Sequence, residues 1–126
     1  KTGGAPRRYA PPYLQSDKGE DSDVAAYFSS CNRNKQSIAL NFTKPEGQKV
    51  IRKLLQESEV VVENFKTGTL DKYGLGYKQL KEEFPGLIYC SITGFGQTGP
   101  YKDRPAYDML IQAMGGSMSI TGVPDG

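Results

Sequence analysis

A chain of 126 residues, 37% apolar and 24% charged, is one domain or a piece of a larger one, and reads as a soluble globular protein with a somewhat thin core. A net charge of +2, with no basic stripe interleaved with aromatics, gives no ground for a nucleic-acid partner. No apolar run approaches the roughly 20 residues that a membrane helix needs, and no signal-peptide pattern opens the chain.

Residues 1 to 23 are rich in Gly, Pro, Ser and charge without a sustained period, which predicts a loop or flexible lead-in. Structure is expected to begin at Val24-Ala25-Ala26-Tyr27-Phe28, with a polar turn at Asn32-Arg33-Asn34-Lys35. Ser37-Ile38-Ala39-Leu40 reads as a short strand. Thr43 and Glu46 have capping-box spacing, and Pro45 fits a first helical turn. The helix that follows carries an apolar stripe of Val50, Ile51, Leu54 and Leu55, slightly weakened by Gly47. Val60-Val61-Val62 is β-branched and apolar on both faces, as a buried parallel strand is.

A short helical turn from Thr69 to Tyr73 stops at Gly74, and a helix runs from Tyr77 to Glu83 until Pro85 ends it. Leu87 to Ile92 forms the third strand. A last helix over Tyr107 to Met114 places Met109, Leu110, Ala113 and Met114 on one face and stops at Gly115-Gly116. Strands alternating with helices at this spacing give an α/β fold, a parallel sheet with flanking helices. Residues 24–126 are expected to form this domain. With Lys1 at one end and Gly126 in a turn-like run at the other, the chain is expected to be a piece of a longer protein.

Strands that end at Leu40, Val62 and Ile92 direct three loops to one sheet edge, where open α/β sheets bind ligands. The loops are Asn41-Phe42-Thr43-Lys44, Asn64-Phe65-Lys66-Thr67-Gly68 and the glycine-rich run Thr93 to Pro100. Within the third, Gly94-Phe95-Gly96-Gln97-Thr98-Gly99 matches the G-x-G-x-x-G spacing of a dinucleotide fingerprint, which would make the chain an NAD(P)-binding oxidoreductase domain. That mechanism needs a helix to open at the glycines. Pro100 and the turn-forming Tyr101 to Pro105 follow instead, and no acidic residue ends a second strand. The loop then approaches some other ligand, or is a tight connection.

Histidine is absent, which removes Ser-His-Asp and Cys-His catalysis and His-ligated metals from this chain. Cys31 and Cys90 are too far apart in sequence for a metal cluster or disulfide scaffold, and point to a reducing compartment. Cys90 is expected to be a small buried hydrophobe at mid-strand, and nothing beside Cys31 would activate its thiol. Arg33 and Lys35 read as a solvated turn.

The runs Asn32 to Leu40, Val62 to Leu70, Tyr73-Gly74-Leu75-Gly76-Tyr77 and Leu87 to Tyr101, with the closing Thr121-Gly122-Val123-Pro124-Asp125-Gly126, together resemble the class III coenzyme A transferases. The match runs from about Tyr27 to Gly126. It implies a Rossmann-like part of a large domain and transfer of coenzyme A from an acyl-CoA to a carboxylic acid through an enzyme-bound aspartyl-CoA thioester. The family's nucleophilic aspartate lies beyond Gly126, so no catalytic residue is expected here and the chain alone should be inactive. A non-catalytic acyl-CoA-binding module is the alternative. The resemblance also implies an interlocked homodimer at full length and a cytoplasmic setting, or the mitochondrial matrix in a eukaryote.

Carried over position by position, the implied coenzyme A contacts are Leu40, Asn41, Phe42 and Thr43; Asn64, Phe65 and Lys66; Lys72; and Pro105, Ala106, Tyr107 and Asp108. Leu40 and Phe65 would wall the adenine, and Lys66 and Lys72 would meet phosphates as point charges. Many relatives carry Arg at the position of Lys72. Lys66 and Lys72 also read as solvated surface lysines, Phe65 as plain core, and Asp108 as an acid favoured at a helix N-terminus. No metal and no covalently bound cofactor is expected.

Overall fold

The computed structural model describes residues 10–123. The chain divides at the Ala39–Leu40 junction into two compact units. In the first, strands β1 (Tyr13–Gln15) and β2 (Asp21–Ala25) pair antiparallel, with Tyr13 opposite Ala25 and an irregular register before Gln15 opposite Asp21. Ser16 nucleates the connection: its hydroxyl oxygen accepts from the N–H groups of Lys18 and Glu20, and its carbonyl from Gly19, where φ is +76°. This hairpin occupies part of the stretch predicted as a loop lead-in. Its strands are short and the turn between them is set by Ser16 side-chain bonds, so no apolar alternation announced them. Residues 1–9 of that prediction lie outside the described residues. Helix α1 (Ala26–Asn32) follows directly, and the exposed turn after it joins Lys35 Nζ to Asn32 Oδ1 at 3.1 Å.

The second unit contains α2 (Pro45–Gln56), β3 (Val60–Glu63), a 3₁₀ turn (Asp71–Tyr73), α3 (Tyr77–Glu83), β4 (Ile88–Ser91), α4 (Asp108–Met114) and a closing 3₁₀ turn (Ser117–Ile120). Strands β3 and β4 pair in parallel, with Val60 opposite Ile88, Val61 opposite Tyr89, Val62 opposite Cys90 and Glu63 opposite Ser91. Both therefore end at the same sheet edge, as expected for these two. The predicted strand at 37–40 is not formed: among the described residues, the parallel sheet has two strands and Ile38 is 61% exposed. A four-residue segment of good β propensity becomes a strand only when a neighbour offers a hydrogen-bond ladder.

The core of the second unit is Leu55 of α2, Leu75 in the connection before α3 and Leu80 of α3, with Phe42, Ile51, Val61, Leu70, Tyr73, Phe84, Leu87 and Tyr89 packed around them. Leu55 and Ile51 face inward, whereas Val50 and Leu54 are exposed, so the α2 stripe is narrower than the sequence implied. Pro45 opens α2 at its first turn as predicted, but the capping box does not form. Lys44 is the N-cap residue, and Thr43 bonds backward to Asn41 instead.

One sheet face looks onto this core through Val61, Glu63, Tyr89 and Ser91. On the other, Val60, Val62, Ile88 and Ile92 are 48%, 60%, 63% and 51% exposed. Cys90 lies on that open face and is exposed rather than buried, because nothing in the described residues covers it.

Candidate functional site

The loop that enters α2 is shaped by its own short side chains. The Asn41 carboxamide oxygen accepts from the Thr43 N–H at 3.1 Å and from the Thr43 hydroxyl at 2.7 Å, an Asx turn. Gly47 is buried beneath it, and a Cβ there would stand 2.1 Å from the Asn41 carbonyl oxygen. Glycine inside the helix, which costs about 1 kcal/mol in propensity, is what lets the loop lie against α2. Gln48 completes the anchor by donating from Nε2 to the Phe42 carbonyl at 3.1 Å.

So held, the Phe42 ring meets two aromatic rings from distant parts of the chain. Its centroid is 5.3 Å from that of Phe65 and 5.5 Å from that of Tyr73, both edge to face. Such pairs contribute about 0.5–1.5 kcal/mol beyond their area. Phe65 follows β3 and is placed by Glu63, whose carboxylate accepts the Phe65 N–H at 2.7 Å. Tyr73 closes the 3₁₀ turn, which ends at Gly74 in the left-handed region, φ +66°.

The structure thereby brings together three of the four segments read from the sequence: 40–43, 64–66 and the turn holding Lys72. Phe65 remains 42% exposed, so its ring is both packed and open to a ligand. Asn64, Lys66 and Lys72 are exposed around it. Tyr73 was missed by sequence reasoning, although its place before a helix-stopping glycine was visible.

The fourth segment, 105–108, packs on the glycine-rich loop. Gly94 packs so closely on it that a Cβ would fall 2.2 Å from the Ala106 Cβ, leaving Ala106 half-buried. Tyr107 is the N-cap residue of α4 and is 85% exposed. Asp108 opens that helix, where its charge suits the positive end of the dipole, and its carboxylate accepts from Gln112 Nε2. Just before Gly94, the Thr93 hydroxyl is buried with no hydrogen-bond partner.

A cleft of about 1070 Å³ lies on the core-facing side of the strand ends. Lys66, Thr67, Tyr89, Ser91, Thr98 and Lys102 contribute to its walls. The Thr67 hydroxyl donates to the Lys102 carbonyl at 3.0 Å, tying the loop after β3 to the glycine-rich loop after β4. Of the residues read as ligand contacts, Lys66 alone lines this cleft. The Tyr89 hydroxyl donates to the Leu75 carbonyl at 3.1 Å. Burial, with lesser contributions from the Glu63 and Asp71 carboxylates, pushes its pKa up to about 12.

The glycine-rich loop does not open a helix. Gly96 and Gly99 take φ of +77° and +86°, turns follow as far as Arg104, and α4 starts only at Asp108. Tyr101 instead meets two partners: the Phe95 ring, edge to face at 5.5 Å, and the Arg104 guanidinium, 4.3 Å over its own ring. With no helix N-terminus at the glycines, the dinucleotide reading has no pyrophosphate seat. Among the described residues, no group of three or more His, Cys, Asp or Glu could hold a metal ion.

The model of CoA-transferase family III matches residues 1–126. The succinate–glutarate CoA-transferase of Agrobacterium fabrum is 52% identical over 120 residues, which are 95% of this chain and 30% of that protein. The acetyl-CoA:oxalate CoA-transferase of Acetobacter aceti is 48% identical over 105 residues, 82% of this chain and 27% of that protein. A crystal structure of a CAIB/BAIF family protein from Brucella suis superposes with a TM-score of 0.83 at 53% identity, covering 98% of this chain and 32% of that one. The chain thus spans about a third of the length of the proteins it matches.

Proposed function

Because the chain belongs to CoA-transferase family III, we propose that the whole protein moves coenzyme A from an acyl-CoA donor to a carboxylic acid acceptor. The observation that carries this reading within the fold is the Phe42 cluster, which joins the loop before α2, the loop after β3 and the Lys72 turn. The adenine lies against the open edge of Phe65 and Leu40. Lys66 and Lys72 take the phosphates as compact cations, giving charge without a bidentate fork. Asn41, Thr43 and Asn64 supply polar contacts along the nucleotide. Pro105, Ala106, Tyr107 and Asp108 line the path of the pantetheine arm.

The chemistry uses an aspartate that lies further along the full-length protein. Its carboxylate attacks the donor thioester carbonyl, and the carbon–sulfur bond breaks to leave a mixed anhydride and CoA thiolate. The thiolate attacks the aspartyl carbonyl of the anhydride, releasing the donor's carboxylate and leaving an aspartyl-CoA thioester. The acceptor carboxylate then repeats these steps in reverse and departs as its CoA ester. Covalent catalysis by a carboxylate divides one difficult exchange into easier steps and needs no histidine.

Relatives named for glutarate and for oxalate favour a dicarboxylic acid as acceptor. The parallel β3–β4 pair is proposed as part of a larger Rossmann-like sheet with flanking helices. The full-length protein is proposed to act as an interlocked homodimer in a reducing, cytoplasmic setting.

The test is mass spectrometry of the complete protein incubated with succinyl-CoA without acceptor. A CoA adduct on a single aspartate is expected. Calorimetric titration should give binding of CoA and none of NAD. Tight NAD binding without CoA binding would overturn the reading, and CoA binding without an adduct would reduce it to a non-catalytic module.

A further inference from the structure

Two side chains hold consecutive carbonyls just beyond the turn that carries Lys72. Arg52, on α2, donates from Nη2 to the Gly74 carbonyl at 2.8 Å and from Nε to Glu83 Oε2, at the end of α3, at 2.9 Å. Tyr89, on β4, donates to the next carbonyl, Leu75, at 3.1 Å. Gly74 suits this approach, since a Cβ there would come within 3.2 Å of Arg52 Nη2. The turn's own bonds are few: the N–H groups of Tyr73 and Leu75 reach the Leu70 carbonyl at 3.0 Å, and the Gly74 N–H reaches Asp71 at 3.2 Å. A three-residue 3₁₀ turn has too few bonds to fix its own orientation.

We propose that Arg52 is a positioning residue for acyl-CoA. Through the Gly74 carbonyl it orients the 3₁₀ turn, so that Tyr73 completes the Phe42 cluster and Lys72, one residue earlier, is presented at the nucleotide wall. The inference rests on the assignment of that cluster and Lys72 to the coenzyme A site. A guanidinium suits the task because its fixed fork reaches a carboxylate and a carbonyl at once. A lysine ammonium can keep the Glu83 pair but cannot hold both partners in that geometry. Arg52 acts through the backbone, so its loss is felt in ligand affinity.

The experiment is steady-state kinetics on the full-length enzyme, varying acyl-CoA and acceptor separately, for K72A, R52Q, R52K and the R52Q/K72A double variant. R52Q and K72A are each expected to raise KM for acyl-CoA by about tenfold, while KM for the acceptor stays within about twofold. The double variant should be no worse than the poorer single one, because both changes remove the same phosphate contact. R52K should recover only part of the loss. Thermal melting reports whether R52Q is folded at the assay temperature; if it is not, E83A, which removes one anchor and leaves the Gly74 bond, should give an intermediate KM, and a wild-type KM in E83A would sink the positioning role. Raised KM in K72A with a wild-type KM in R52Q sinks the positioning role alone, as does a fall in kcat with KM unchanged. Unchanged KM in K72A sinks the assignment of the turn to coenzyme A and the inference with it.

Discussion

The Tyr89 hydroxyl is bonded to the Leu75 carbonyl at 3.1 Å, and burial beside the Glu63 and Asp71 carboxylates moves its pKa from 10.0 to about 12. In the unfolded chain the phenol ionises near pH 10. Folding therefore favours the protonated form. That contribution to stability is complete below about pH 10 and is lost as pH rises toward about 12. Y89F gives up the hydrogen bond at neutral pH, and its stability should fall less steeply than wild type across that window. Urea denaturation of both proteins at about pH 9 and about pH 11.5 measures the difference; parallel declines would refute the assignment. Thr93 makes the opposite case. Its hydroxyl is buried without a partner, so the fold carries a desolvation cost with nothing in return. T93V should raise stability by about 1 kcal/mol, read as a shift in urea midpoint. A loss of stability would mean that the hydroxyl is satisfied in solution.

At the scale of elements, α2 sets two effects of opposite sign against each other at Gly47. Helix propensity alone predicts that G47A stabilises by about 1 kcal/mol. The added Cβ, however, would sit 2.1 Å from the Asn41 carbonyl oxygen, a backbone atom that cannot swing aside. Overlap wins, so G47A should destabilise by about 1–3 kcal/mol and, in the full-length protein, weaken coenzyme A binding by displacing Phe42. A G47A protein more stable than wild type would sink this account of the loop. The same residue marks what could be read in advance. Pro45, the Tyr77–Glu83 helix, the stop at Gly74 and the 88–91 strand were legible, because each rests on bonds within a few residues or on an unbroken apolar run. The hairpin at 13–25 and the missing strand at 37–40 were not. The first is built from Ser16 side-chain bonds, and the second needs a neighbouring strand that propensity cannot supply. In the site, Phe65 and Lys66 were legible as a strand-end loop. Arg52 and Tyr73 were not, since their roles depend on partners 22 and 31 residues from Arg52 and on the ring of Phe42.

Parallel sheets in α/β proteins carry helices on both faces because their strands are apolar on both. Here Val61 and Tyr89 have such cover, whereas Val60, Val62, Ile88 and Ile92 do not. The sequence of β3 is thus matched to a more enclosed position than the described residues provide. An uncovered β-branched face is a site for association, since apolar area removed from water contributes about 25 cal/mol per Å². The 126-residue chain should therefore self-associate and enhance the fluorescence of an apolar dye. Replacing Val62 and Ile88 together by Thr keeps β propensity while making the face polar. Because both side chains are more than half exposed, at 60% and 63%, the double change should alter folding stability by about 0.5 kcal/mol or less. Sedimentation and dye binding should both fall sharply in V62T/I88T. Equal association of the two chains would place the sticky surface elsewhere, with the exposed Met109, Met114 and Ile120 around α4 as the next surface to test.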